Sequence, residues 1–179
     1  MAVRIYLLGY MASGKSSFGQ LLALRLGYSF IDLDLLFEER FKISISDFFL
    51  KYDEAAFRQI EHSLLIETIT TENMVISTGG GTPCFFDNMQ IINNAGFSVY
   101  IQWECATLAE RLMVAKKRRP LVKDIPGGFL KEKIRRDLDE RNLFYRQANL
   151  ILNADNESPD KMMDWIVEGL GEWHDLRLE

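Results

Sequence analysis

A chain of 179 residues, 47% hydrophobic and 26% charged, has the makings of one domain with a full apolar core and no need of disulfide or metal staples. Its formal charge of −5 excludes a surface built to neutralise a nucleic-acid backbone, so any anion must be held by a local cluster of cations. Cys84 and Cys105 lack metal-ligand spacing and read as reduced thiols.

The predicted elements alternate. Val3–Leu8 is a short apolar run that Gly9 stops after Leu8, too brief for a signal-peptide core or the roughly 20 residues of a membrane span. The chain is therefore expected to stay in the cytoplasm, without membrane or nucleic-acid partners. Further strands are expected at Ser29–Ile31, Met74–Ser77, Ser98–Gln102 and Asn149–Leu152. Helical periodicity covers Lys15–Leu26, Leu35–Phe41, Asp53–Thr70, Phe86–Asn94, Thr107–Lys117, Phe129–Gln147 and Pro159–Leu170. Thr107 with Glu110 has the capping-box spacing, and Ser158 before Pro159 reads as an N-cap with proline at the first helical position. The tail beyond Gly171 is expected to be a short docked or frayed end. Strands alternating with helices imply an α/β fold whose parallel sheet is covered on both faces.

The first strand runs into Gly9-Tyr-Met-Ala-Ser-Gly14-Lys15-Ser16, a G-x-x-x-x-G-K-[ST] phosphate loop. Its backbone N–H groups, with the helix N-terminus behind them, can cradle a β-phosphate. Lys15 then spans the β- and γ-phosphates and the Ser16 hydroxyl suits Mg2+. The motif specifies nucleotide binding without saying what is done with the nucleotide.

Asp32-Leu33-Asp34 closes the second strand, on the sheet edge where ligands of open parallel sheets sit. If the chain stays extended, both carboxylates point one way, one toward a metal-bound water and the other toward an acceptor hydroxyl. The alternative is an N-cap and a first-turn acid for the next helix. Ser77-Thr78-Gly79-Gly80-Gly81-Thr82-Pro83 follows the third strand, and three successive glycines let backbone approach a ligand closely. Arg141 falls on the inward stripe marked by Ile134, Leu138 and Tyr145, where a guanidinium needs a phosphate, a carboxylate ligand or a structural ion pair. The same choice applies to Arg58, beside the apolar face of its helix. Lys116-Lys117-Arg118-Arg119 reads either as a solvated helix end or as part of a lid over a triphosphate. His62 and His174 have no partners at ligand spacing.

Taken in order, GYMASGKSS, FIDLDLLFE, Phe57-Arg58-x-x-Glu61, STGGGTP, RRPL and Arg141-x-x-x-Tyr145 resemble the shikimate kinase family from Val3 to about Leu170. The resemblance implies a three-layer P-loop NTPase fold of the nucleoside-monophosphate-kinase kind: one domain over 1–179, a five-stranded parallel sheet flanked by helices, a mobile lid about 113–128 and a substrate-binding helical region about 33–61. It implies transfer of the γ-phosphoryl group of ATP to the 3-hydroxyl of shikimate, with Mg2+, by a monomer. Lys15, Asp34 and Arg119 would be catalytic. ATP would lie against Ala12, Ser13, Gly14, Lys15, Ser16, Ser17, Arg111, Arg119 and Ser158. Shikimate would lie against Asp34, Arg58, Gly79, Gly80, Gly81 and Arg141, and Ser16 and Asp32 would attend the metal. Two positions depart from the family pattern: Ala12 stands where glycine is usual, and Leu33 replaces a small polar residue.

Related small-metabolite kinases such as gluconate kinase share the fold without the Asp34, Arg58, triple-glycine and Arg141 set. A GTP-binding switch would need an Asn-Lys-x-Asp guanine reader, which this sequence lacks; Asp124-Ile-Pro-Gly127 lies too far downstream to serve as its D-x-x-G.

Overall fold

The computed structural model describes residues 3–115 and 127–175. The chain runs β1 (Arg4–Leu8), α1 (Lys15–Leu26), β2 (Ser29–Asp32), α2 (Leu33–Phe41), α3 (Ile45–Lys51), α4 (Glu54–Thr68), β3 (Met74–Ser77), a 3-10 turn (Thr82–Cys84), α5 (Asn88–Ala95), β4 (Phe97–Gln102), α6 (Cys105–Ala115), α7 (Gly127–Tyr145), β5 (Leu150–Asn153) and α8 (Pro159–Asp175). The proposed lid at 113–128 falls mostly outside the described residues, and Arg119 lies among those not described.

All strand pairings are parallel, in the order β2-β3-β1-β4-β5. The central strands are apolar on both faces because helices cover both. Tyr6 and Leu8 of β1 join Phe37, Phe57, Ile76, Tyr100 and Ile134 in one core layer. Ile5 and Leu7 point the other way, to Phe18, Leu22, Val75, Val99 and Ile166. From β1 the chain first builds toward β2 and β3, then crosses to β4 and β5. That reversal opens a crevice beyond the carboxyl ends of β1 and β3, which is where ligands settle in such sheets. Among the described residues no helix is long and apolar enough to cross a membrane.

Four expectations need correction. First, α2 begins at Leu33, because the Asp32 carboxylate caps it, accepting from the Asp34 and Leu35 N–H groups at 3.0 and 3.3 Å. The backbone therefore turns helical before Asp34, and extended alternation does not align the two aspartates. Second, α3 is a helix that the periodicity missed; its signal was Ser44, whose hydroxyl accepts the Asp47 N–H at 3.0 Å. Third, Thr107 lies inside α6 and does not cap it. Asp155, reaching across from the β5–α8 connection, accepts the Glu104 N–H at 2.7 Å and the Thr107 hydroxyl at 2.6 Å. Fourth, α8 does not end at Leu170 but continues past Gly171 to Asp175, and this end is the docked one of the two expected, with Trp173 edge-on to Phe97 at 5.7 Å. The Ser158 cap is present, its hydroxyl accepting the Lys161 N–H at 3.3 Å.

Candidate active site

The phosphate loop leaves β1 at Gly9 and ends where Gly14 opens α1. Two side chains from the opposite wall hold its outward carbonyls. Trp103 Nε1 donates to the Ser13 carbonyl at 2.8 Å, and Arg111 Nε donates to the Ala12 carbonyl at 2.9 Å while its guanidinium lies over the Trp103 ring at 4.4 Å. Lys15 is buried, its Nζ donating to the Gly9 and Tyr10 carbonyls at 2.8 and 3.0 Å. Ala12 sits at φ +63°, the left-handed region that disfavours a Cβ. Ala12→Gly should therefore not show the loss of about 1 kcal/mol expected at an ordinary backbone position. Thermal unfolding should give an unchanged or slightly raised Tm, and a clear drop would mean that the loop tolerates this φ without strain.

A cavity of about 650 Å3 opens above the loop, lined by Ala12, Gly14, Lys15, Ser16, Ser17, Asp32, Asp34, Gly80 and Arg111, among others. Ser13 is buried beneath it. Ser158 serves as the α8 cap and does not line this cavity. The Ser16 hydroxyl donates to Asp32 Oδ2 at 2.5 Å, so a hydroxyl and a carboxylate meet beside the space for phosphates. Hard oxygen donors of this kind suit Mg2+, which takes one or two protein oxygens and completes its shell with phosphate and water.

A second cavity, about 710 Å3, adjoins the first. Met11, Ser16, Asp32, Asp34 and Gly80 line both. Arg58, Glu61, Gly79, Gly81, Arg141 and Glu38 complete the far side. The two arginines and Asp34 thus face one space next to Lys15, although they come from α2, α4 and α7.

Each cation is held differently. Arg58 donates to Glu61 Oε2 at 2.7 Å and to Glu54 Oε1 at 2.9 Å, and its guanidinium lies over the Phe85 ring at 4.1 Å. The ion-pair alternative is therefore realised, and the residue lines the cavity as well. Arg141 has no carboxylate within salt-bridge distance among the described residues. Its Nη1 donates to the Gly80 carbonyl at 3.3 Å, and its guanidinium lies 5.1 Å from the Tyr10 ring centre. Tyr145, one turn further on, also donates to the Gly80 carbonyl.

Functional side chains crowd two of the three glycines, so a Cβ at either would displace them. A Cβ on Gly79 would lie 2.5 Å from Glu61 Oε1 and 2.9 Å from Asp34 Oδ1; one on Gly81 would lie 2.6 Å from Arg58 Nη1. Reasoning from sequence gave no role to Glu61, Trp103 or Tyr10. Glu61 is buried, tying Arg58 to Thr82, whose hydroxyl donates to Oε1 at 2.6 Å. Its signal was the Arg58-x-x-Glu61 spacing, one helical turn. Trp103 and Tyr10 had no signal beyond being aromatic. Beside the arginines, burial pushes the Cys84 thiol up to about 11, which leaves it neutral and unreactive near pH 7.

Comparison with known proteins identifies the family. The family model for shikimate kinase matches residues 11–170. This chain belongs to the shikimate kinase family. The shikimate kinase of Bacteroides thetaiotaomicron is 42% identical over 166 residues, 93% of either chain. A crystal structure of shikimate kinase from that organism superposes over 100% of both chains with a TM-score of 0.85 at 37% identity. The Acinetobacter baumannii shikimate kinase, solved in complex with shikimate, aligns over 94% of this chain and 92% of its own with a TM-score of 0.84 at 28% identity. The family's fold, a five-stranded parallel sheet between helical layers, is the fold described above.

Proposed function

We propose that this protein is a shikimate kinase, transferring the γ-phosphoryl group of ATP to the 3-hydroxyl of shikimate. The observation that carries the reading is Arg141: an inward-facing guanidinium with no carboxylate within salt-bridge distance among the described residues, in a cavity that adjoins the phosphate loop. An organic acid supplies the missing partner.

Arg58 and Arg141 hold the shikimate carboxylate, because guanidinium groups bond a planar carboxylate through paired N–H donors. The backbone of Gly79, Gly80 and Gly81 forms the floor. Asp34 borders both cavities, so it aligns the hydroxyl and accepts its proton as the new P–O bond forms and the bond to the ADP leaving group breaks. Lys15 leaves the Gly9 and Tyr10 carbonyls to meet the phosphates, and the N–H groups from Ala12 to Ser17 surround them. Arg119 joins them from the lid. Arg111, which lines the first cavity, flanks the adenine. Ser16 and Asp32 would hold Mg2+, directly or through water. The ion would neutralise charge on the β- and γ-phosphates. Phosphoryl transfer has a loose transition state, so positioning and charge neutralisation supply most of the rate. The reading is of a monomer that works in the cytoplasm, where ATP is available.

The test is ADP release with ATP and Mg2+ in the presence of shikimate, gluconate or nucleoside monophosphates. Turnover with shikimate alone is expected; turnover with another acceptor instead overturns the proposal. Arg141→Ala should raise the shikimate KM by about tenfold to a hundredfold, the weight of a charged hydrogen-bonded pair, with the ATP KM nearly unchanged. An unaltered shikimate KM would remove Arg141 from the acid site.

A further inference from the structure

Tyr10 lies in the second position of the phosphate loop, yet its side chain leaves the loop and enters the core beside α7. Only 2% of the residue is exposed. Its hydroxyl donates to Asp137 Oδ2 at 2.6 Å, and its ring lies 5.1 Å from the Arg141 guanidinium. Asp137 and Arg141 are one turn apart on the same face of α7, so one aromatic ring touches both. Lys133 Nζ approaches the same Asp137 Oδ2 at 3.1 Å and balances the carboxylate, which can only accept, so the phenol is the donor. The Tyr10 carbonyl meanwhile accepts Lys15 Nζ at 3.0 Å.

From this geometry we infer that Tyr10 is a positioning residue for Arg141, a brace between the phosphate loop and the helix that carries the acid-binding guanidinium. The inference rests on the reading of Arg141 as a shikimate contact. Two features separate a brace from ordinary core packing. The ring presents its face to a cation, an attraction that an aliphatic side chain of similar size does not supply. The hydroxyl also fixes the rotation of α7 at Asp137, one turn before Arg141. On the other side of the guanidinium, the Gly80 carbonyl accepts from both Arg141 and Tyr145, so the cation is held between two loops that come from the ends of β1 and β3. Burial, then the Asp137 hydrogen bond, raises the Tyr10 hydroxyl well above the usual phenol range, so it stays protonated and donating at neutral pH.

The experiment is a cycle of Tyr10→Leu, Tyr10→Phe, Arg141→Lys and the double variant Tyr10→Leu/Arg141→Lys. Steady-state kinetics are run well below each variant's Tm. Tyr10→Leu should raise the shikimate KM about tenfold with kcat and the ATP KM within about threefold, and Tyr10→Phe, which keeps the ring face, should recover most of that loss. In the Arg141→Lys background, Tyr10→Leu should add little, because the two residues act through one contact. A Tyr10→Leu enzyme with the wild-type shikimate KM, equal changes in both substrates, or full additivity with Arg141→Lys would overturn the inference. Arg141→Lys with an unchanged shikimate KM would instead overturn the acid-site reading beneath it. Should Tyr10→Leu not fold, Tyr10→Met, which also removes the ring face, takes its place in the same cycle with the same expected split.

Discussion

Asp34→Asn should lower kcat by about 10²–10⁴-fold, the range for removing a positioned proton acceptor, while ATP affinity stays close to wild type. The substitution is nearly isosteric, so the first turn of α2 and the cap from Asp32 should persist. What changes is the group that faces the acceptor hydroxyl. Asp34 lines both cavities, and its Oδ1 lies against Gly79, on the wall between the triphosphate space and the acid space. An amide there can orient a hydroxyl but cannot take its proton. Steady-state kinetics paired with direct nucleotide titration separate the two effects. A kcat within about tenfold of wild type would remove Asp34 as proton acceptor and leave it an orienting group.

Glu61→Ala should cost about 3 kcal/mol of stability, the lower end of the range for stripping one partner from a buried ion pair. For a chain of this size that corresponds to a fall in Tm of roughly 6–12 °C. The Glu61 side chain is 5% exposed and that of Arg58 12%, so neither Arg58 nor Thr82 finds a full replacement in water. Glu54 remains on Arg58 but is itself 59% exposed, which is why the lower figure applies. The loss also frees Arg58 to rotate, so the shikimate KM should rise along with the loss in Tm. Glu61→Gln keeps an acceptor for Thr82 and should lie between wild type and alanine on both measures. Calorimetry settles the first effect and initial rates the second. A Tm within about 2 °C of wild type would show the pair to be well hydrated and of little net worth.

Much of this was legible in the chain itself. The phosphate loop is recognisable because its function is performed largely by backbone, and glycine at the required spacings is the mark of that backbone. Strands and helices were legible wherever burial on one face or two imposed a period. The helix α3 escaped because it is short and lies among aromatic residues, Phe48 and Phe49 with Phe57 nearby, that give no clear stripe. The capping of α6 escaped for a different reason. Its acid, Asp155, is some fifty positions away in sequence, and local spacing offered Thr107 and Glu110 as a self-sufficient box. For Asp32 and Asp34 the second of the two readings holds: extended alternation fails at Leu33, and Asp32 as N-cap with Asp34 in the first turn brings both carboxylates to the crevice.

The sequence by itself determined the class of fold, the nucleotide loop and the set of charged residues available to an acid, because periodicity, glycine spacing and motif order are local properties of a chain. Only the tertiary structure decided how those charges are partnered. Arg58 is clamped by Glu54 and Glu61 and still borders the cavity, whereas Arg141 has no salt bridge among the described residues and meets the Gly80 carbonyl and the Tyr10 ring. That difference depends on which helices the parallel sheet brings side by side. The strength of a charge contact depends on distance and on exclusion of water, and both quantities come into being only when α2, α4, α7 and the loop after β3 close on one crevice.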